Sequence, residues 1–546
     1  MGQPGLGTLD WIIILIYASS TIGLGYYYSR KQKNIREYFV GSGKMNPVLV
    51  GISLFATLLS TISYMAYPGE MIAKGPGTIL AGLLTLPFIY LVVTRLLLGV
   101  YMRHSVTSAY ELLEKRLGLG IRILGAAMFL VLRLVWMSLL VYVAASAMTV
   151  MMGVGKEWIP YIVLATGFVS VIYTSLGGIG AVVVTDFVQT VLLLGGALLV
   201  VVLISISLGG FSWFPTSWQP NWDVQPLFSP DPRVRVTILG GLVTGIIWYV
   251  CTAGGDQVSV QRFMATGDAR AAGRAYLTQM CVSTAVSVAL ALVGFSLLGY
   301  FTQRPEALPA GMSLATDGDK IFPFFVAYHL PAGISGLVVA AMFAAAMSSI
   351  DSGVNSITAV IMTDFLDRFG LKPKTDRGHV RLARLLAFSV GAVVVIGSSF
   401  MEYVPGNFVG VTQRTTNLLV TPLFALFCFA LFIPFARALG VVVGAIYGVS
   451  TAVLVAFSGN IYETLQGATF FDVSSPIDAT PISFQWIAPL ALVVNLGAGM
   501  LVSLTLRSKE GLFGLTWKFA VSLVPLPAWV AIIILWPWID VAFVGF

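Results

Sequence analysis

Ala341-Met-Phe-Ala-Ala-Ala-Met-Ser-Ser-Ile-Asp351 lies inside a long apolar segment, and its reading decides the rest of the chain. Small side chains let a second helix approach closely, and the adjacent hydroxyls of Ser348 and Ser349 then offer oxygens at the point of approach. A hard cation such as Na⁺ takes oxygen ligands, so this run has the pattern of an ion-binding helix buried among membrane helices.

Composition agrees with a membrane setting. Of 546 residues, 57% are hydrophobic and 10% charged, with a mean hydropathy of +0.90; soluble domains carry about 25% charged residues. Apolar runs long enough to cross a hydrocarbon core of about 30 Å fall at 9–28, 46–73, 78–102, 121–152, 157–175, 181–208, 236–256, 275–300, 321–360, 381–401, 415–436, 438–458, 484–506 and 515–538. The expected fold is therefore an all-α polytopic membrane protein of about fourteen transmembrane helices, forming one transporter domain over residues 1–546. The opening Met-Gly-Gln-Pro-Gly5 has no positively charged stretch, so the first span reads as a retained helix rather than a cleaved signal.

Charge tests the count. If the N-terminus faces outward and the loops alternate, most of the 31 lysines and arginines fall in the inward loops near 30–44, 103–122, 262–274, 368–384 and 507–518. That is the positive-inside bias, and it places both termini outside a cell membrane. The pI of about 9.2 is then explained by orientation rather than by nucleic-acid binding. Cys251, Cys281 and Cys428 lie in apolar segments and read as small core residues, while His104, His329 and His379 are too scattered to form a metal cluster. The long connections at 209–235 and 459–483 read as outward capping loops.

Two spans carry interruption signals. Ser53-Leu-Phe-Ala-Thr-Leu-Leu-Ser-Thr-Ile-Ser-Tyr64 is rich in hydroxyls and runs on to Tyr67-Pro-Gly-Glu70. Pro68 and Gly69 favour unwinding, which frees carbonyls for an ion or a solute; the alternative is a kinked helix whose hydroxyls bond its own backbone. Ser60, Thr61, Ser63, Tyr64 and Tyr67 are the solute-lining candidates here. Five spans later, Gly254-Gly255 precede Asp256-Gln257, an acid at a second candidate break. This offset fits two five-helix halves of inverted topology, about 46–208 and 236–436, with an extra N-terminal helix and peripheral C-terminal helices at about 438–538. Arg133 falls near mid-membrane, where it faces the cavity and favours an anion or pairs with a buried acid. Asp186 and Asp351 either guide a cation inward or cap a helix and pair with an arginine.

Several motifs appear in order: Asp10-Trp11, Glu37-Tyr-Phe-Val-Gly41, Ala109-Tyr-Glu-Leu-Leu-Glu-Lys-Arg-Leu-Gly118, Tyr173-Thr-Ser-Leu-Gly-Gly178 with Thr185-Asp186, Asp256-Gln257 with Gln261-Arg262, and Met347-Ser-Ser-Ile-Asp-Ser352. Together they resemble the sodium:solute symporter family, and nearly the whole chain takes part. The resemblance implies a LeuT-like inverted-repeat fold. It also implies a sodium site built from the Ala56, Leu59 and Ala345 carbonyls with the Ser348 and Ser349 hydroxyls, and a sodium exit path through Asp186. The family's sugar-transporting pattern has Asn and Gln where this chain has Leu58 and Ser63. Tyr67-Pro-Gly-Glu70 is more similar to the branch that carries iodide, monocarboxylates and acidic vitamins, although that branch has serine where Gly69 stands.

These readings lead to Na⁺-coupled symport of a small organic solute, an anion such as a monocarboxylate, with Na⁺ as the coupling ion and no other cofactor. The substrate-binding set is Ser60, Thr61, Ser63, Tyr64, Tyr67, Arg133, Asp256 and Gln257. Alternatives are symport of a sugar or other neutral solute, and H⁺ coupling through Asp186 and Asp351. An intramembrane enzyme would need acid, base or metal groups converging at one depth, and the sequence does not offer them.

Overall fold

The apolar runs become helices wherever glycine, proline and charge do not interrupt them. A computed structural model describes residues 5–30, 35–41, 43, 45–103, 108–371, 373–401, 408–461 and 481–506. In chain order the helices are α1 (Thr8–Ser29), α2 (Ile35–Val40), α3 (Pro47–Leu58), α4 (Thr61–Ala73), α5 (Gly77–Tyr101) and α6 (Glu111–Leu117). Then come α7 (Leu119–Met152), α8 (Ile159–Ser207), α9 (Ile238–Gly255), α10 (Gln257–Met264), α11 (Ala269–Gln303) and α12 (Gly318–Tyr328). The last five are α13 (Ile334–Val360), α14 (Asp376–Ser398), α15 (Phe408–Phe432), α16 (Ala438–Ala456) and α17 (Ile487–Thr505).

Among the described residues, eleven helices are long and apolar enough to cross a membrane, and the bent pair α3–α4 makes a twelfth. The expected count of fourteen changes for identifiable reasons. The run at 515–538 lies outside the described residues, as does most of the 459–483 loop. The runs at 157–175 and 181–208 are joined in one helix, α8, across a non-helical residue at Gly178 (φ 57°, ψ −174°), and α8 contributes one of the eleven candidate spans, Thr174–Ser207. A positive φ of this kind is cheap only for glycine. The run at 321–360 is not one span either: α12 stops at Tyr328, and α13 starts afresh at Ile334.

Packing gathers the chain into two compact units. The first comprises Met1–Ser108, Arg133–Val224 and Gln257–Thr412; the second comprises Ala109–Leu132, Gln225–Asp256 and Gln413–Phe546. In the first unit α13 is the central element, buried along nearly all of its length because alanine, serine and glycine line it on every side. α1, α3, α8 and α14 surround it. α3 in turn rests on α11 so closely that a Cβ at Gly51 would stand 2.3 Å from the Ala275 carbonyl oxygen. Asp10 of α1 ties down the start of α13: its Oδ1 accepts from the Gly333 and Gly336 amides, both at 2.7 Å.

In the second unit α16 and α17 pack side by side. The Gln485 side chain accepts from the Thr237 amide at 3.0 Å and so fixes the start of α9. Tyr110 donates to the Gly255 carbonyl at 3.2 Å, satisfying the far end of the same helix.

Candidate ion and solute site

The first interruption does not fall at Pro68-Gly69, which lie inside α4. It falls at Leu59 and Ser60, whose backbones are extended (φ −80°, ψ 126° and φ −119°, ψ 169°). The reason is local capping. Ser60 Oγ accepts from the Ser63 amide at 3.3 Å and starts α4 as a separate helix, bent 67° from α3. Pro68 stays inside α4, and Gly294 of α11 packs directly against its backbone.

A helix that stops leaves its last carbonyls without amide donors. The Leu59 amide still reaches Phe55 O at 2.8 Å, but the carbonyls after Phe55 are served from α13. Ser348 Oγ donates to Ala56 O at 2.9 Å and lies 3.1 Å from Ala345 O. Ser349 Oγ lies 3.1 Å from both Thr57 O and Leu59 O. Both serines are fully buried. The three carbonyls and two hydroxyls singled out in the sequence therefore stand at one locus, with Thr57 O as an additional oxygen.

One helical turn further along α3 and α13, a second polar layer follows. Thr57 Oγ1 pairs with Ser352 Oγ at 2.7 Å. Arg262 of α10 donates through its guanidinium to Ser352 Oγ, to Ser53 Oγ at 3.0 Å and to the Val258 carbonyl at 3.2 Å. Ser53 Oγ donates to Asp186 Oδ2 at 2.5 Å, and Arg262 completes an ion pair with the same oxygen at 3.6 Å. Asp186 is thus an arginine partner, one of the alternatives left open for it. Arg262, expected in an inward loop, sits in α10 with 1% of its side chain exposed. Asp351 Oδ1 accepts from Thr174 of α8. Asp186 Oδ1 and Asp351 Oδ2 have no hydrogen-bond partner among the described residues.

The solute candidates divide by face. Ser63 and Tyr67, one turn apart on α4, share a half-exposed face, whereas Ser60, Thr61 and Tyr64 are buried. Tyr64 turns away from the first pair. Its ring packs 5.6 Å from Phe322 of α12, and its hydroxyl lies against Gly196 of α8. Arg133 is 5% exposed. It precedes by one turn Trp136, which packs with Ile62 and Ala66 of α4. Asp256 forms the second interruption (φ −94°, ψ 121°) between α9 and α10 and belongs to the second unit. Gln257, fully buried, opens α10 in the first unit.

Residues 38–448 match the profile described as the Sodium:solute symporter family. The chain belongs to that family. This symporter is 28% identical over 470 residues to the sodium/sialic acid symporter NanT of Aliivibrio fischeri, covering 83% of its own length and 89% of that protein. It is 24% identical to human sodium-coupled monocarboxylate transporter 1, covering 85% of its own length and 76% of the relative. Its fold superposes with a TM-score of 0.74 on the solved outward-open state of a Na⁺-coupled sialic acid symporter, at 24% identity, over 91% of this chain and 98% of that one. The LeuT-like helical fold expected from the motifs is therefore the fold of this symporter. It is a multi-pass integral membrane protein that couples Na⁺ to the movement of a solute, and it is not an enzyme.

Sequence reasoning did not assign a role to Ser53, Thr57, Thr174, Arg262 or Ser352. A signal for most of them was present. Ser53, Thr57 and Ser60 recur at steps of four and three, as do Ser348, Ser352 and Asn355, so each set marks one polar helix face in an apolar run. Nothing in the local sequence announced that Arg262 would turn inward to meet both faces.

Proposed function

We propose that this symporter carries a small organic anion by alternating access, driven by Na⁺ held between the α3–α4 interruption and α13. The observation that carries the reading is the convergence of the Ala56, Leu59 and Ala345 carbonyls with the Ser348 and Ser349 hydroxyls. All five are oxygens, none is ionised, and backbone freed by a helix break is the usual source of such ligands. The ion joins two elements that are separate in the chain, so its binding favours the state in which they meet.

Several observations support an anionic solute. The matched relatives are named for sialic acid and for monocarboxylates. Arg133 is a buried cation on the helix packed along α4, and Ser63 and Tyr67 present polar groups on that helix's accessible face. Ser60, Thr61, Tyr64 and Gln257 complete the proposed solute set of the first unit, and Asp186 and Asp351 line the sodium exit. Interruptions at Leu59–Ser60 and at Asp256 support two inverted halves, about 46–208 and 236–436. The charge bias supports both termini facing outward from a cell membrane.

Binding of radioactive Na⁺ to purified protein tests the ion site. Wild type should bind saturably, and Ser348→Ala with Ser349→Ala should abolish binding while unfolding cooperatively as wild type does. Equal binding by the two proteins would remove the serine pair from the site. Uptake of monocarboxylates and sialic acid into vesicles, with Arg133→Gln beside wild type, then tests the solute class.

A further inference from the structure

Two helices of the first unit begin with a pair of arginines on the face that later meets lipid. On α11, Arg270 and Arg274 open an exposed row that continues through Leu277, Cys281 and Val288. On α14, Arg377 and Arg381 open one that continues through Leu385, Phe388 and Ile396. Steps near the helical period keep each row on one face. The apolar parts are conspicuously uncovered: Leu277 is 45% exposed, Leu385 61% and Ile396 64%. On a membrane-spanning helix such a stripe is the surface that acyl chains contact.

Depth follows from helix geometry. At about 1.5 Å of rise per residue, Arg274 stands about 5 Å beyond Leu277 and Arg381 about 6 Å beyond Leu385, which is the thickness of the headgroup region flanking the hydrocarbon. Both pairs also lie at the same end of the unit. Met264, just before α11, and Val380 and Ala383 of α14 pack in one cluster with Tyr38, Phe39 and Met362. The connection between α13 and α14 lies there too, with Phe369 57% and Leu371 66% exposed. Residues 367–384 hold six lysines and arginines against two aspartates. None of Arg270, Arg274, Arg377 and Arg381 has an ion-pair partner among the described residues.

A loop that only obeys the charge bias has no need to put its cations on the lipid-facing row. Here they stand at its head, with apolar side chains projecting beside them. We propose that this end of the unit is a binding collar for anionic phospholipid, each arginine pair holding a headgroup phosphate through guanidinium hydrogen bonds while Phe369 and Leu371 enter the interface. The inference is independent of where Na⁺ and solute bind.

The full chain, purified in detergent, would be titrated with phosphatidylglycerol and, separately, phosphatidylcholine, and the bound lipid counted by native mass spectrometry. Phosphatidylglycerol should be retained in preference, and its affinity should fall with added salt. A surface cation contributes about a fivefold factor, so R377Q/R381Q should weaken phosphatidylglycerol about 25-fold and leave phosphatidylcholine unchanged. R377K/R381K should recover only part of the lost affinity, because the charge remains but the guanidinium fork does not. Equal binding of the two lipids by wild type, or phosphatidylglycerol binding indifferent to salt, would overturn the proposal without recourse to any variant. So would a folded R377Q/R381Q that binds phosphatidylglycerol as wild type does.

Discussion

Replacing Arg262 by methionine should be among the most damaging single changes in the first unit. The guanidinium serves Ser53, Ser352 and the Val258 carbonyl while pairing with Asp186. The two charged side chains are 1% and 0% exposed. Without Arg262, the Asp186 carboxylate stays buried with the Ser53 hydroxyl as its one remaining side-chain donor. Breaking a buried pair in this way costs about 3–5 kcal/mol, far more than an exposed pair is worth. Arg262→Lys should recover only part of this, since one ammonium cannot reproduce the planar fork. Removing both charges is different. Arg262→Met with Asp186→Leu discards the desolvation cost along with the attraction and leaves two hydroxyls short of a partner, about 1 kcal/mol each. The double variant should therefore lie within about 2 kcal/mol of wild type, so that the single effects do not add. Reversible unfolding of the four proteins in one detergent gives the cycle directly. Single costs below about 1 kcal/mol, or strict additivity, would show that water screens the pair and would refute the reasoning.

Two further changes test the packing. Gly51→Ala places a methyl 2.3 Å from the Ala275 carbonyl and 2.6 Å from Thr278 Cβ, so it should destabilise by about 1–3 kcal/mol; Gly82→Ala, with nothing within 4 Å, should not destabilise when measured by the same unfolding midpoint. Asp10→Ala removes the acceptor for the Gly333 and Gly336 amides and should cost about 0.5–2 kcal/mol, with faster hydrogen exchange at those two amides and little change at mid-α13.

How much of this was legible in the sequence depends on the range of the signal. Spans were readable because twenty-residue apolar runs have no soluble alternative, and Ser348-Ser349 stood out because adjacent hydroxyls among alanines have no packing purpose. The break was misplaced because proline and glycine are stronger local punctuation than serine. Yet Pro68 lies inside α4, packed against Gly294, while Ser60 caps a new helix with its own side chain. The sequence places Arg262 in a loop because positive residues usually end spans. Its inward turn depends on Ser53, Asp186 and Ser352, which lie 209, 76 and 90 residues away in the chain, and no local pattern carries that information.

The sodium reading also has to account for hydrogens. A carbonyl oxygen has two lone pairs, so Ala56, Leu59 and Ala345 can coordinate an ion and still accept a hydrogen bond. Each serine hydroxyl has a single hydrogen, which must point away from any cation its oxygen ligates. Thr57 O, 3.1 Å from Ser349 Oγ, is an acceptor outside the proposed ligand set. Ser349 can therefore turn its oxygen to the ion without stranding its hydrogen. The Thr57 side chain at the same time bonds Ser352, which bonds Arg262. One residue of α3 thus receives the Ser349 hydrogen at the edge of the proposed ion site through its backbone and joins the Asp186–Arg262 layer through its side chain. Any shift of α3 against α13 that opens the first must also strain the second. An ion that binds the closed arrangement more tightly shifts the population by that difference in affinity and no more, so the buried layer adds to what Na⁺ stabilises and deepens the contrast between the two states.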